Sequence, residues 1–272
     1  MSARFWLGTS SWNYKQWAGV FYASGVDPAD MLAQYARVFN SVEIDSSFYG
    51  IPRATSVERW RQSVGEDFRF SLKAPSAITH ERRFVNADRA FGIFLDRVRP
   101  LGSRLGVVLL QCPPDFRPTS ENREALFGFL ETETPQDVRI ALELRDPRWF
   151  DDDLFAQARA VKASLALTDG IHSDLALVSR MAEAIIDDKP TDYAYIRWLG
   201  HQTLPRYDCV QLDRQGSLDA WERIIRRVAT VCSDVYGYAS NDYEGFAPAT
   251  IRGMLARLGL PPPPETGELR LF

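Results

Sequence analysis

Apolar and polar residues alternate with a period of two in short runs along the chain. In the run at positions 42–45, Val42 and Ile44 are apolar, whereas Glu43 and Asp45 carry carboxylates. This alternation predicts a strand whose two faces meet different surroundings. The acidic face lies against solvent or against a polar site inside a closed barrel, and the rest of the chain decides between these interpretations.

Strand-like runs of this kind alternate with amphipathic segments that predict helices. Eight strand segments follow one another: RFWLGTS, SVEIDSS, DFRFSLKAP, RLGVVLLQCPP, VRIALELRDP, SLALTDG, YAYIRWLG and VYGYASND. This repetition predicts the α/β class and a single-domain (β/α)8 TIM barrel over residues 1–260. An open, doubly wound sheet is the alternative, but that fold favours a glycine-rich phosphate turn after its first strand, and GTSSWNYKQW is not one.

In such a barrel, strand side chains point alternately toward the surrounding helices and into the interior. Inward residues at the carboxyl ends of strands face the active-site mouth. Because Val42 and Ile44 then pack beneath helices, Glu43 and Asp45 point inward. The same alternation, or a position at the end of a strand, assigns further polar residues to the mouth: Lys73, Gln111, Glu143, Arg145, Asp169, Arg197 and Asn241.

The mixture of acids and bases at one end of the barrel indicates a ligand site. Burying many charges for stability alone is unfavourable, because desolvation tends to cancel the Coulomb attraction between them. The alternative is a ring of mutually neutralised ion pairs that closes the top of the barrel.

Six motifs in the chain occur together and in order: GTSSWNYKQWAGVFY, VEIDSSFYGIP, FRFSLKAP, ELRDPRWF, YIRWLG and NDYEGFAP. Together they resemble the YecE-like family, a domain of unknown function. The resemblance implies a TIM barrel akin to the xylose-isomerase and endonuclease IV superfamily, and it implies no established reaction. The pocket positions that it implies are Trp12, Glu43, Tyr49, Lys73, Glu143, Arg145, Arg197 and Asn241. Relatives tend to carry an aromatic residue and paired asparagines on the last strand, where this chain departs from the pattern with ASND.

The basic residues of the predicted mouth suit an anionic ligand. Arginine offers a planar fork to a phosphate or carboxylate, and lysine offers a point charge. Lys73, Arg145 and Arg197 would stabilise negative charge, with Glu43 or Glu143 as general acid or base. We therefore predict that the mouth binds a phosphorylated or otherwise anionic ligand, such as a nucleotide or a nucleic-acid end, and that phosphoester hydrolysis is the reaction if the protein acts on that ligand.

Other residues add a stacking surface and an alternative chemistry. Trp12 and Tyr49 could stack a base or a sugar ring. The alternative enzyme is a glycosidase-like hydrolase that uses Glu43 and Glu143 as paired carboxylates. Neither hypothesis names a cofactor.

Metal binding is not predicted. The chain has only three histidines, His80, His172 and His201, without the spacing of zinc ligands. Carboxylates of the mouth could hold Mg²⁺ or Mn²⁺, but the lysine and arginines in the same space would repel a cation.

Charge and cysteine content restrict the class of partner and the compartment. A net charge of -4 argues against extended wrapping of nucleic acid. Cys112, Cys209 and Cys232 are scattered, which indicates buried, reduced thiols. No apolar run is long enough to cross a bilayer, and no signal peptide is evident. We therefore expect a cytoplasmic protein without membrane contact.

The last residues, 261–272, predict a proline-rich spacer and an apolar tail. Four prolines form a stiff, extended spacer. The sequence ELRLF resembles the short peptide by which bacterial proteins dock on the DNA sliding clamp, with Leu269, Leu271 and Phe272 filling an apolar groove. Glu268 stands where glutamine is usual. The tail therefore suggests a second hypothesis, a non-catalytic adaptor for DNA-processing machinery, unless it folds back onto its own barrel.

Overall fold

The computed structural model describes residues 3–261, so the predicted spacer from residue 262 onward and the apolar tail lie outside the described residues. The strands are β1 (Arg4–Ser10), β2 (Ser41–Ile44), β3 (Arg69–Lys73), β4 (Leu105–Gln111), β5 (Arg139–Glu143), β6 (Ala163–Leu165), β7 (Leu167–Gly170), β8 (Tyr193–Gly200) and β9 (Asp234–Ala239). The α-helices are α1 (Met31–Tyr35), α2 (Ala54–Ser63), α3 (Asp88–Val98), α4 (Ser120–Glu133), α5 (Asp152–Ala160), α6 (Leu175–Asp188), α7 (Gln215–Val228) and α8 (Ala247–Leu258).

The strands form one parallel sheet in the order β6-β5-β4-β3-β2-β1-β9-β8-β7. Its two end strands are consecutive in the chain and are separated by Ala166 alone, so they share one position of the barrel. β6 pairs with β5 and β7 pairs with β8, while the Ala166 N–H donates to the Leu142 carbonyl at 2.8 Å. The sheet therefore closes into a single-domain TIM barrel, which confirms the predicted fold.

The helices cover the outside of the barrel because each presents an apolar stripe to the strands. On α7, the buried residues Leu218, Trp221, Ile225 and Val228 recur at spacings of three and four, which places them on one face. Outward strand residues such as Ile44 pack into the same apolar layer. This layer fixes which strand residues are left to face the interior.

The interior of the barrel is filled by side chains below the level of the mouth. Aromatic residues dominate this filling, among them Trp6, Tyr193, Tyr195, Tyr236 and Tyr238. The Tyr238 hydroxyl bridges β9 to two other strands through hydrogen bonds with Ser41 Oγ at 2.6 Å and Ser71 Oγ at 2.8 Å. The polar groups of the mouth thus lie on a packed floor.

No helix within residues 3–261 combines the length and the apolar character needed to span a bilayer. Cys112 and Cys232 are buried and all three cysteines are free thiols, but Cys209 is half-buried, so the expectation of burial is wrong for that residue.

Candidate functional site

A cavity of about 340 Å³ opens at the carboxyl ends of the strands, and we call it the barrel mouth. It is lined by strand ends and by the loops that follow them. The lining contains charged and amide side chains from strands or loops around the barrel: Asp45, Lys73, Gln111, Glu143, Arg145, Arg197, Gln202 and Asp242.

Arg197, on β8, lies at the centre of the charged groups. Its Nη2 donates to Glu43 Oε1 at 2.7 Å and to Asp45 Oδ1 at 3.2 Å, and its Nη1 donates to Glu143 Oε2 at 2.6 Å. Only 3% of the Arg197 side chain is exposed. Because three carboxylates use its donors, Arg197 joins the acids of β2 and β5 across the barrel.

Glu43, on β2, is sealed beneath the mouth. It is completely buried, and its carboxylate also accepts hydrogen bonds from Ser10 Oγ at 2.8 Å and from the Tyr195 hydroxyl at 2.6 Å. Burial and the Glu43 charge together raise the pKa of Tyr195 well above its ordinary value, so the tyrosine keeps its proton and donates a hydrogen bond to the carboxylate. Glu43 is therefore a fixed acceptor at the floor of the site.

Glu143, at the end of β5, is held in its ionised form. Its Oε1 accepts from Gln111 Nε2 at 2.7 Å and from Arg145 Nε at 3.0 Å. Burial favours the neutral acid, but the Arg197 and Arg145 guanidiniums outweigh it and lower the pKa of Glu143 to about 2. Glu143 is thus a carboxylate at neutral pH and has no proton to donate.

Lys73, at the end of β3, provides a cation on the cavity wall. Its Nζ lies 3.9 Å from the centroid of the Phe48 ring and makes no ion pair with a carboxylate among residues 3–261. Burial lowers the pKa of Lys73, and the nearby Asp45 carboxylate opposes that effect. The ammonium group is therefore available to a ligand in the mouth.

Asp45 follows β2 and lines the cavity with 37% of its side chain exposed. Burial and the neighbouring Glu43 charge raise the pKa of Asp45 to about 6, although Arg197 acts in the opposite direction. Asp45 is thus a carboxyl group of the mouth that changes protonation close to neutral pH.

The prediction that Asp169 faces the mouth is wrong. Its carboxylate points to the helix layer, where it accepts hydrogen bonds from Trp221 Nε1 at 2.8 Å and Ser217 Oγ at 3.0 Å. Leu167 is part of the apolar layer outside the barrel, and Asp169 lies two residues further on the same face of β7. The inward residue at this position is Thr168, which lines the cavity.

Two other predicted ligand-binding residues also lie outside the cavity lining. Asn241 is buried, and its Oδ1 accepts from the Ala247 N–H at 3.0 Å, so it anchors the beginning of α8. Trp12 is half-buried and packs edge-to-face on Trp60, with 6.1 Å between ring centroids. Tyr49, by contrast, lines the mouth and is 87% exposed.

The structure also adds cavity residues that the sequence did not indicate. They are mainly loop residues after β7, β8 and β9: Ile171, His172, Ser173, Gln202, Thr203, Ser240 and Asp242. Their position in loops leaves no periodic signal, whereas the alternation along β7 could have identified Thr168. Within residues 3–261, no group of three or more histidine, cysteine or acidic side chains is arranged to hold a metal ion.

Fold and mouth together define a single-domain TIM-barrel protein with a charged cavity at the carboxyl ends of its strands. The chain belongs to the family described as protein of unknown function DUF72, which matches residues 6–268. Over 145 residues it is 33% identical to UPF0759 protein YecE of Escherichia coli strain K12, a match that covers 53% of this chain and 50% of YecE. The chain thus spans about half the length of that curated relative. UPF0759 protein YunF of Bacillus subtilis is 24% identical over 254 residues, which cover 84% of this chain and 86% of YunF.

Solved structures show the same fold. A DUF72 family protein from Thermotoga maritima superposes with a TM-score of 0.77 at 21% identity, covering 94% of this chain and 99% of that one. A DUF72 family protein from Enterococcus faecalis superposes with a TM-score of 0.74 at 21% identity, covering 96% and 98% of the two chains. At these identities the likeness extends to the fold alone.

Proposed function

We propose that the barrel mouth binds an anionic, phosphorylated ligand such as a nucleotide or a nucleic-acid end. The supporting observation is that two cations on its wall keep free donors. Lys73 has no carboxylate partner among residues 3–261, and Arg145 gives only its Nε to Glu143. An ammonium group and the end of a guanidinium are donors suited to phosphate oxygens.

In this proposal Arg197 positions other residues rather than binding the ligand. Its donors are used by Glu43, Asp45 and Glu143, so it holds these acids in place beneath the ligand. The two cations that face the ligand are then Lys73 and Arg145. The ring of ion pairs considered from sequence thus forms the floor of the site, and the ligand lies above it.

For phosphoester hydrolysis, we assign the role of general acid or base to Asp45. A group serves this role best when its pKa is near the working pH, and the pKa of Asp45 is raised to about 6. Glu43 is sealed from the cavity and Glu143 is kept ionised by two arginines. The same two facts leave the paired-carboxylate glycosidase hypothesis without support from the geometry.

The binding proposal can be tested with AMP and adenosine, which differ by the phosphate group. By isothermal titration calorimetry, we expect AMP to bind at least about tenfold more tightly than adenosine, because only AMP offers phosphate oxygens to Lys73 and Arg145. Lys73→Met and Arg145→Gln should each weaken AMP binding. Arg89→Gln, an exposed position on α3, is the matched control and should leave it unchanged.

Two outcomes would contradict the binding proposal. One is equal affinity for AMP and adenosine. The other is AMP binding that is insensitive to both substitutions in the mouth.

We further propose, from the sequence alone, that the tail docks on a bacterial sliding clamp through Leu269, Leu271 and Phe272. This would make the protein an adaptor that brings its ligand to DNA-processing machinery. A labelled ETGELRLF peptide should bind the clamp in a fluorescence anisotropy titration, and the same peptide with Leu271 and Phe272 replaced by alanine should not. Absence of binding at high micromolar concentration would exclude this partner.

A further inference from the structure

Lysine is scarce in this chain, and the basic residues are mostly arginine. The 32 lysines and arginines include four lysines: Lys15, Lys73, Lys162 and Lys189. Lys15, Lys162 and Lys189 are exposed, whereas Lys73 lines the mouth beside Arg145 and Arg197. Arginine retains its proton in proteins, but a desolvated lysine can release its proton and act as a nucleophile. Position 73 therefore has a chemistry that the arginines of the mouth lack.

The local structure holds the Lys73 amine in the cavity. The Ser47 hydroxyl donates to the carbonyl oxygen of Lys73 at 2.7 Å, which fixes the short 3-10 helix after β2 against the end of β3. That contact positions the Phe48 ring 3.9 Å from Nζ. The amine is thus covered on one side by an apolar ring and accessible from the cavity.

The surroundings of Lys73 also make its ammonium proton easier to release than that of an exposed lysine. Burial and the positive charge of Arg197 lower the pKa of Lys73, while the nearby acids act against them. Asp45 lines the same cavity and carries a carboxyl group whose pKa is raised to about 6. A nucleophilic amine and a group able to exchange protons near neutral pH therefore share one cavity.

We propose that Lys73 forms an imine with an aldehyde or ketone that also carries a phosphate group. The proposal rests on the proposed function, because the phosphate is the part of the ligand that Arg145 binds. It adds a carbonyl group as the second chemical requirement of the ligand.

The covalent step needs no oxidant or reductant. The lone pair of Lys73 Nζ adds to the carbonyl carbon, the carbon–oxygen π pair moves to oxygen, and Asp45 supplies the proton that this oxygen takes up. Nζ then returns one proton to Asp45, which passes it to the hydroxyl oxygen, so that the oxygen leaves as water while the nitrogen lone pair forms the double bond to carbon. The second N–H proton restores the acid form of Asp45, so one water is released for each imine and no proton is consumed.

Borohydride trapping tests this inference in the full-length protein. Glyceraldehyde 3-phosphate is added with sodium borohydride, which transfers hydride to the imine carbon and leaves a stable secondary amine that peptide mass spectrometry locates. We expect about tenfold more adduct on Lys73 than on any of the three exposed lysines, because the bound aldehyde is held beside that amine. Glyceraldehyde without phosphate should label Lys73 less, and excess inorganic phosphate should protect it.

The variant Lys73→Arg keeps a cation in the mouth but removes the nucleophile. It should still bind glycerol 3-phosphate by calorimetry, which tests the proposed function separately, and it should show only the background adduct of the exposed lysines. Binding of glycerol 3-phosphate without selective trapping at Lys73 would overturn the imine and leave the proposed function standing. Selective trapping at Lys73 without binding of glycerol 3-phosphate would support the amine and overturn the phosphate site.

Discussion

Arg197 lies between three carboxylates and donates a hydrogen bond to each of them. Replacing Arg197 by methionine would leave Glu43 and Glu143 buried without their shared cation. We expect Arg197→Met to lower the free energy of unfolding by about 3–5 kcal/mol at pH 7.5, because unpaired buried charges are strongly unfavourable. Part of the loss should be recovered at pH 5, because Glu143 without the Arg197 guanidinium that lowers its pKa can take up a proton more easily.

Urea denaturation at the two pH values measures this effect. Arg89→Gln, on the exposed face of α3, serves as the control and should change stability by less than about 0.5 kcal/mol. A loss below about 1 kcal/mol for Arg197→Met would mean that the carboxylates do not depend on this cation.

The pH dependence of Asp45 has the opposite sign to that of a typical paired acid. Its pKa is raised from 3.8 to about 6, so ionising it disfavours the folded state as the pH rises through that range. The neutral substitution Asp45→Asn should therefore gain stability relative to wild type between pH 4 and pH 7.5. Urea denaturation at several pH values provides the comparison.

Asp115 provides the matched control for Asp45. The Arg83 guanidinium, which donates to Asp115 at 2.6 Å, lowers the pKa of this exposed acid. Asp115→Asn should thus lose stability relative to wild type as the pH rises. Parallel trends for the two variants would refute the assigned environment of Asp45.

Individual residues of the mouth were predictable where strand alternation alone decides their direction. Glu43, Lys73, Glu143 and Arg197 each follow aliphatic or aromatic neighbours that are buried under helices, so their inward orientation follows from the pattern. The outward orientation of Asp169 follows from the same alternation, since Leu165 and Leu167 precede it on one face of the strand, whereas its prediction as a mouth residue rested on its position at the strand end. Its partners Trp221 and Ser217 on α7 are 52 and 48 residues away in the chain, and no local pattern indicates them.

At the level of elements, the loops after β8 and β9 meet at Gly200. This residue has φ +81°, and a Cβ placed on it would lie 2.1 Å from the Asp242 carbonyl oxygen. We expect Gly200→Ala to destabilise the fold by about 2–4 kcal/mol, because both the conformation and the close approach require glycine. The affinity for AMP should fall as well, since Gly200 and Asp242 both line the mouth.

Thermal and urea unfolding, with calorimetry for AMP, check this prediction. Gly92→Ala is the matched control, since Gly92 lies in α3 with no atom near enough to meet an added Cβ. It should be neutral or stabilising by up to about 1 kcal/mol. Equal effects at the two glycines would show that the loops tolerate a side chain at position 200.

Element order and strand positions followed directly from the sequence, because short apolar runs and amphipathic segments differ in period. The interruption of the predicted sixth strand at Ala166 could not be predicted from the sequence. SLALTDG has the pattern of one continuous strand, yet the Ala166 N–H bonds to β5 while Leu167 begins the pairing with β8. That change of partner depends on closing the whole sheet, so it appears only in the assembled barrel.

On the scale of the whole molecule, Tyr238 connects distant strands through the barrel interior. Its hydroxyl contacts Ser41 and Ser71, which are 197 and 167 residues away in the chain. Tyr238→Phe should lower the free energy of unfolding by about 1–3 kcal/mol, because it removes two buried hydrogen bonds and leaves the serine hydroxyls without this partner.

Urea denaturation measures the effect of Tyr238→Phe. Tyr49→Phe removes a hydroxyl from a tyrosine that is 87% exposed, and it should leave stability unchanged. If both substitutions were neutral, the cross-barrel hydrogen bonds would contribute nothing to folding.

The change of strand partner at Ala166 gives the cylinder a single joint. On either side of Ala166 each strand segment has one paired neighbour, since β6 pairs with β5 and β7 pairs with β8. Backbone amides of residues 163–170 should therefore exchange with solvent sooner than those of β1 or β9. Thr168 and Gly170 belong to this joint and to the cavity wall. Because Thr168 is paired with Arg197 on β8, local opening of this segment would change the cavity wall directly beside the charged floor.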